Sequence, residues 1–121
     1  MKKLLIILLI LTSAMSLKAQ KPELLELKDE VVKQASLELD QAMTSPEGSL
    51  YKFGQKYHIT GEYTLQLTIR NKGEVVSVFV QDKKDGNIPS QNSLKDKLMN
   101  FQFGFKMPKN KDYKFSYTFK F

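Results

Sequence analysis

Cysteine is absent from the 121 residues. That excludes a disulfide framework. It also excludes the bacterial type of lipid-anchored exported protein, whose anchor is attached to a cysteine. His58 is the only histidine. A zinc site would have to be assembled from one imidazole and carboxylates, a poor donor set. A Ser-His-Asp triad would have to use His58, and no serine stands in a nucleophile-elbow context. The glycines at 48, 54, 61, 73, 86 and 104 stand singly, so no phosphate-binding loop is spelled out. Paired acids such as Asp29 and Glu30 fall on the charged side of a helix pattern. The chain is therefore read as a non-enzyme, with no metal and no cofactor. Long apolar runs are scarce too. Residues 4–11 form the one unbroken run, well short of the ~20 residues a membrane-spanning helix needs.

What is there begins with Lys2 and Lys3, that short apolar run, and Ser16-Leu17-Lys18-Ala19 before Gln20. A positive start, an apolar centre and a small residue before a polar one make a secretory signal peptide. The expectation is cleavage after Ala19, a single domain over 20–121, and a periplasmic or secreted location. Retention of residues 4–15 as an anchor is the competing reading. Without residues 1–19 the chain keeps 16 basic and 13 acidic residues, a net charge of +3 rather than +6. The charge is uneven. Residues 20–50 hold three lysines against seven acids, and residues 51–121 hold thirteen Lys or Arg against six acids. Such asymmetry can mark an anionic partner, although export argues against nucleic acid.

The clearest pattern lies in 62–82. Tyr63, Leu65, Leu67 and Ile69 alternate with polar residues, Asn71-Lys72-Gly73 supplies a reversal, and a valine-rich return strand follows. This is a β-hairpin with one apolar face. On the return strand, Val76, Val78 and Val80 are expected on one face, with Val75, Ser77 and Phe79 on the other. Before the hairpin, residues 21–43 read as a helix with a stripe at Leu24, Leu27, Val31, Ala35, Leu39 and Ala42. The stripe is expected to dock on the sheet, and an a/d-like seam also allows a homodimer. Residues 50–59 read as an irregular strand interrupted by Gly54. Ser90 reads as the N-cap of a second, short helix over about 91–100, with Leu94 and Leu98 facing the sheet. Residues 113–121 read as a strand whose aromatic face (Tyr113, Phe115, Tyr117, Phe119, Phe121) alternates with Lys114, Ser116, Thr118 and Lys120. Lysines and rings then lie on opposite faces, which does not make a nucleic-acid stacking platform. The fold class is α+β: an antiparallel three- to four-stranded sheet, an N-terminal helix and a second short helix.

The order of these elements resembles the C-terminal domain of TonB-type proteins. The likeness is carried by Leu65-Gln66-Leu67-Thr68-Ile69, Lys72-Gly73-Glu74-Val75 and Val78-Phe79-Val80. It continues through Leu94, Leu98, Phe101-x-Phe103 and the closing Phe119-x-Phe121, about residues 60–121 in all. In that family the domain is a periplasmic module that accepts an extended peptide from an outer-membrane transporter along a sheet edge. The chain departs from the family's pattern where energy would be transduced. It has no Pro/Lys-rich spacer after Ala19, it carries a helix there instead, and the proline after the aromatic pair comes late, at Pro108.

The expected function is therefore an exported protein–peptide interaction module whose partner is an envelope protein or peptide, without stable membrane insertion after cleavage. Lys114, Ser116, Thr118 and Lys120 are the candidate partner-binding residues. Proline at 116 or at 118 is expected to test the two possible directions of the edge N–H groups. The alternatives are a short membrane-anchored transducer of the TonB type and a small-ligand carrier that uses the aromatic sheet face.

Overall fold

The computed structural model describes residues 23–121, so the expected signal peptide and the expected cleavage after Ala19 lie outside the described residues. Eight elements follow in order: β1 (Glu23–Leu24), α1 (Lys28–Thr44), α2 (Ser49–Tyr57), β2 (Glu62–Arg70), β3 (Glu74–Lys84), α3 (Ile88–Met99), β4 (Phe105–Lys106) and β5 (Tyr113–Lys120). The fold is α+β, with a three-stranded antiparallel sheet in the order β3-β2-β5.

The hairpin forms as its alternation dictates. Tyr63, Leu65, Leu67 and Ile69 are fully buried on one face of β2. The turn closes with the Gly73 N–H donating to the Arg70 carbonyl at 2.8 Å. Gly73 sits at φ +78°, where a Cβ is disfavoured. β3 departs from simple alternation. Its register against β2 shifts between Thr64 and Leu65 and again between Thr68 and Ile69. Val75, not Val76, therefore pairs with Ile69 and turns inward with Val78 and Val80. A bulge inserts one unpaired residue and flips the parity beyond it.

Three helices, not two, are present among the described residues: α1 and α3 pack on the sheet, and α2 packs on α1. α1 buries Val31, Ala35, Leu39 and Ala42, the expected stripe, and packs near β5. Those residues are spent on the molecule's own core, so the stripe is not a free dimer seam. α1 starts at Lys28 rather than at 21. Leu24 and Leu27, assigned to the stripe, are 55% and 63% exposed, while Leu25 is buried. The cause is a long-range pairing. β1 runs parallel to β4, and the Leu25 N–H donates to the Lys106 carbonyl at 2.8 Å. This holds 23–25 extended, with Leu24 facing out and Leu25 facing in.

Of residues 50–59, expected as a strand, 50–57 fold as part of helix α2. Leu50 is fully buried, and the ring of Phe121 lies against Gly54, where a Cβ would come within 2.9 Å of it. The helix stops at His58, whose backbone is left-handed at φ +52° with its N–H on the Gly54 carbonyl. His58 is an exposed cap. α3 begins earlier than expected. Asn87, not Ser90, is the N-cap, its side-chain oxygen accepting from the Ser90 N–H at 2.8 Å, and Pro89 fits the first turn. Leu94 and Leu98 are fully buried as expected. Phe103, Phe105 and Met107 then thread the core in extended chain.

Candidate functional site

The candidate residues sit on β5, which forms one border of the sheet. Its register against β2 runs without a break from Glu62↔Lys120 to Ile69↔Tyr113. The inward side chains Phe115 and Phe119 are buried. The half-buried tyrosines anchor the strand to the helix layer. The Tyr117 hydroxyl donates to the Asp40 carboxylate of α1, and the Tyr113 hydroxyl donates to the Glu26 carbonyl at 3.2 Å. Burial, reinforced by the Asp40 hydrogen bond, pushes the Tyr117 phenol well above its ordinary value. Phe115 and Phe119 of the aromatic face are thus taken up by packing, while Phe121 borders a small cavity with Met43, Tyr51 and Ile59.

Lys114, Ser116, Thr118 and Lys120 are all exposed and share the open face of the sheet. The Thr118 hydroxyl is 2.9 Å from that of Thr64, and the Ser116 hydroxyl donates to the Gln81 side chain at 2.6 Å. Thr64 and Gln81 belong to this face and are not singled out by the sequence pattern. Phe79 stands on it too, 62% exposed. The lysines mark its two ends. Lys120 pairs in register with Glu62, which pairs in turn with Lys84, while Lys114 pairs with Thr68. Beyond Lys114, Arg70 holds Asp112 through two contacts of 3.2 and 3.1 Å. The hydrogen bond from Arg70 keeps the Asp112 carboxyl below the usual range.

The backbone direction follows from one hydrogen bond. The Phe121 N–H donates to the Gly61 carbonyl at 3.0 Å, so this facing pair is hydrogen-bonded. In an antiparallel ladder such pairs alternate with non-bonded ones. Counting along the unbroken register, residues 119, 117, 115 and 113 bond to β2. The N–H and C=O groups of Lys114, Ser116, Thr118 and Lys120 point away from it. Ser116 and Thr118 are therefore not tests of opposite directions. Residues two apart share one, and both face outward.

The other border, β3, is less regular. Its start is bridged by Gln102 opposite Glu74, and its ladder carries the two bulges. Among the described residues, no group of three or more His, Cys, Asp or Glu side chains could hold a metal ion, and no helix is long and apolar enough to cross a membrane. No family model matches the chain, and neither a curated protein nor a solved structure matches it. The likeness to the TonB-type domain rests on the residues quoted for it.

Proposed function

We propose that the protein is an exported, non-enzymatic periplasmic module that captures an extended segment of an envelope protein by β-augmentation along β5. The reading is carried by one observation: β5 is a straight, unbulged border strand with four outward-facing backbone positions. An added strand gains main-chain hydrogen bonds there, and Lys114 and Lys120 favour a segment with acidic residues. The resemblance to the TonB-type C-terminal domain points to the same mode of binding. The export part of the proposal rests on residues 1–19, and its check is the mass of the native chain, expected to start at Gln20. Recovery of the full-length chain with membranes would favour the anchored transducer instead.

The test of the edge uses a photo-crosslinking residue in place of Thr118, with capture from envelope extract. Ser116→Pro and Lys120→Pro each remove an outward N–H without touching the β2 ladder. Both should retain a cooperative melt and lose the crosslinked partner. Tyr117→Pro removes an inward N–H and should lower stability instead. Normal capture by folded Ser116→Pro and Lys120→Pro proteins would rule out this edge. Lys114→Ala should weaken capture only modestly, because the main chain carries most of the binding.

A further inference from the structure

On the helix side of the molecule, α2 and α3 meet in a shallow, open depression. Lys52, Phe53, Lys56 and Tyr57 of α2 and Lys97 of α3 line it, and Asp96 is the single acid along its length. Phe53 and Tyr57 lie one turn apart with ring centroids 5.2 Å from each other. The Lys97 Nζ stands 6.0 Å over the Phe53 ring, and the Lys56 Nζ stands 5.4 Å over the Tyr57 ring. Lys52 has only the 3.5 Å contact with Glu47, and both side chains are largely exposed. Lys52 and Lys56 are four apart on one helix, a mutually repelling pair. Two ammonium groups thus stand over the two rings, and Lys52 lies beside them with Glu47 as its exposed partner, so lysines outnumber acids on this face.

We propose that this face docks peripherally on an anionic phospholipid surface. Three features favour a lipid surface over an acidic peptide. The depression is shallow and unwalled, so it fits a broad surface better than a narrow chain. Its cations are all lysines, whose non-directional charge suits mobile phosphates rather than bidentate carboxylate pairing. Tyr57 is 56% exposed, and a ring with a polar tip suits the headgroup layer. Docking through the helix layer leaves the open sheet face turned to solvent, and the inference does not depend on the role of β5.

The full chain also carries the apolar run at 4–11 and Lys2, Lys3 and Lys18, so bulk vesicle binding alone would not locate the contact. The chain contains no tryptophan, which makes Tyr57→Trp a local reporter. Vesicles of mixed anionic and neutral phospholipid should shift its emission to the blue, and about 0.5 M salt should reverse the shift by screening. In the full chain, Lys52→Gln/Lys56→Gln/Lys97→Gln should lower partitioning to anionic vesicles on the order of a hundredfold, about fivefold per lysine, while binding to neutral vesicles stays unchanged. Circular dichroism checks that the variants remain folded. The proposal fails if the protein sediments with vesicles while the introduced indole is unshifted. An equal shift on purely neutral vesicles overturns it as well. A shift with polyglutamate but not with anionic vesicles would assign the face to an acidic polypeptide and overturn the lipid reading.

Discussion

Leu67 and Thr68 are neighbours on β2 that should respond very differently to truncation. β2 is the middle strand, paired on both sides, so it cannot move to fill a void. Leu67 is fully buried, in register with Val78 on β3 and Phe115 on β5. Leu67→Ala removes buried carbon and leaves a cavity that two flanking ladders hold open. The cost should fall in the upper part of the range for such changes, about 3–5 kcal/mol. Against a total stability of about 5–15 kcal/mol for a small domain, that is a large share. It should lower the melting temperature by more than about 12 °C. Thr68 points to the open face, in register with Ser77 and Lys114, neither of which covers it with a second layer. It is buried all the same, at 7% exposure, as a short side chain on the central strand with a paired strand on each side. Thr68→Ala leaves a gap that water can enter. Its cost should stay within about 1 kcal/mol, the span of strand preference. The assay is urea unfolding of both variants with the m-value held constant. Equal losses would refute the assignment of the two faces.

Further outcomes are expected for the Tyr63 hydroxyl, for two glycines and for the Arg70–Asp112 pair. Tyr63→Phe should cost about 1–3 kcal/mol by urea unfolding without opening a cavity, because the Tyr63 hydroxyl donates to the Thr60 carbonyl and accepts from the Asn87 N–H. Gly73→Ala should destabilise by more than about 1 kcal/mol, since a Cβ there would lie 2.7 Å from the Phe103 and Phe105 carbonyls at φ +78°. Gly104→Ala meets only the end of the Glu38 side chain at 3.3 Å and should be milder in the same melts. The Asp112 carboxyl should titrate below the ordinary Asp value by carbon NMR, and Arg70→Gln should restore it. The sign follows from a lowered folded value: the contribution of this pair is present above about pH 4 and is lost as pH falls through the Asp112 titration.

The hairpin and the closing strand were legible because their signal is local. Period-two alternation over 62–70 and 113–120 names the buried face without knowledge of any partner. The misread parts each depend on something distant. Residues 23–25 are extended because 105–106 pair with them, across about eighty residues of chain. Residues 50–59 carry apolar side chains at 51, 53, 57 and 59, which mimics a strand. Leu50, Phe53, Gly54 and Tyr57 have the spacing of one helix face, and Gly54 looked like an interruption because the ring it accommodates belongs to Phe121. That misreading also hid the lysines of α2 that gather around Phe53 and Tyr57. On β3, extra residues at the bulges reversed the expected faces of Val75 and Val76. The candidate edge was half legible. Alternation identified Lys114, Ser116, Thr118 and Lys120 as one face, but their outward backbone direction required the Phe121–Gly61 hydrogen bond.

The same four residues bear on whether β5 would pair with itself rather than with a foreign strand. Two copies joined antiparallel about Tyr117 would use outward groups on both sides, with Ser116 opposite Thr118. That register sets Lys114 opposite Lys120 at both ends, and like charges directly opposed across strands are destabilising. Shifting the centre to Ser116 brings Lys120 opposite Asp112, yet that carboxylate is already held by both contacts from Arg70. A foreign segment with an acid opposite either lysine meets neither obstacle. The strand it would join is pre-formed, fixed from below by Tyr113 and Tyr117, so little ordering remains to be done on binding. β3 offers a longer border, but its bulges interrupt the row of outward groups that a straight partner needs. On the proposed reading of β5, discrimination against self-pairing and preference for an acidic partner would both follow from one arrangement of two lysines on an unbulged strand.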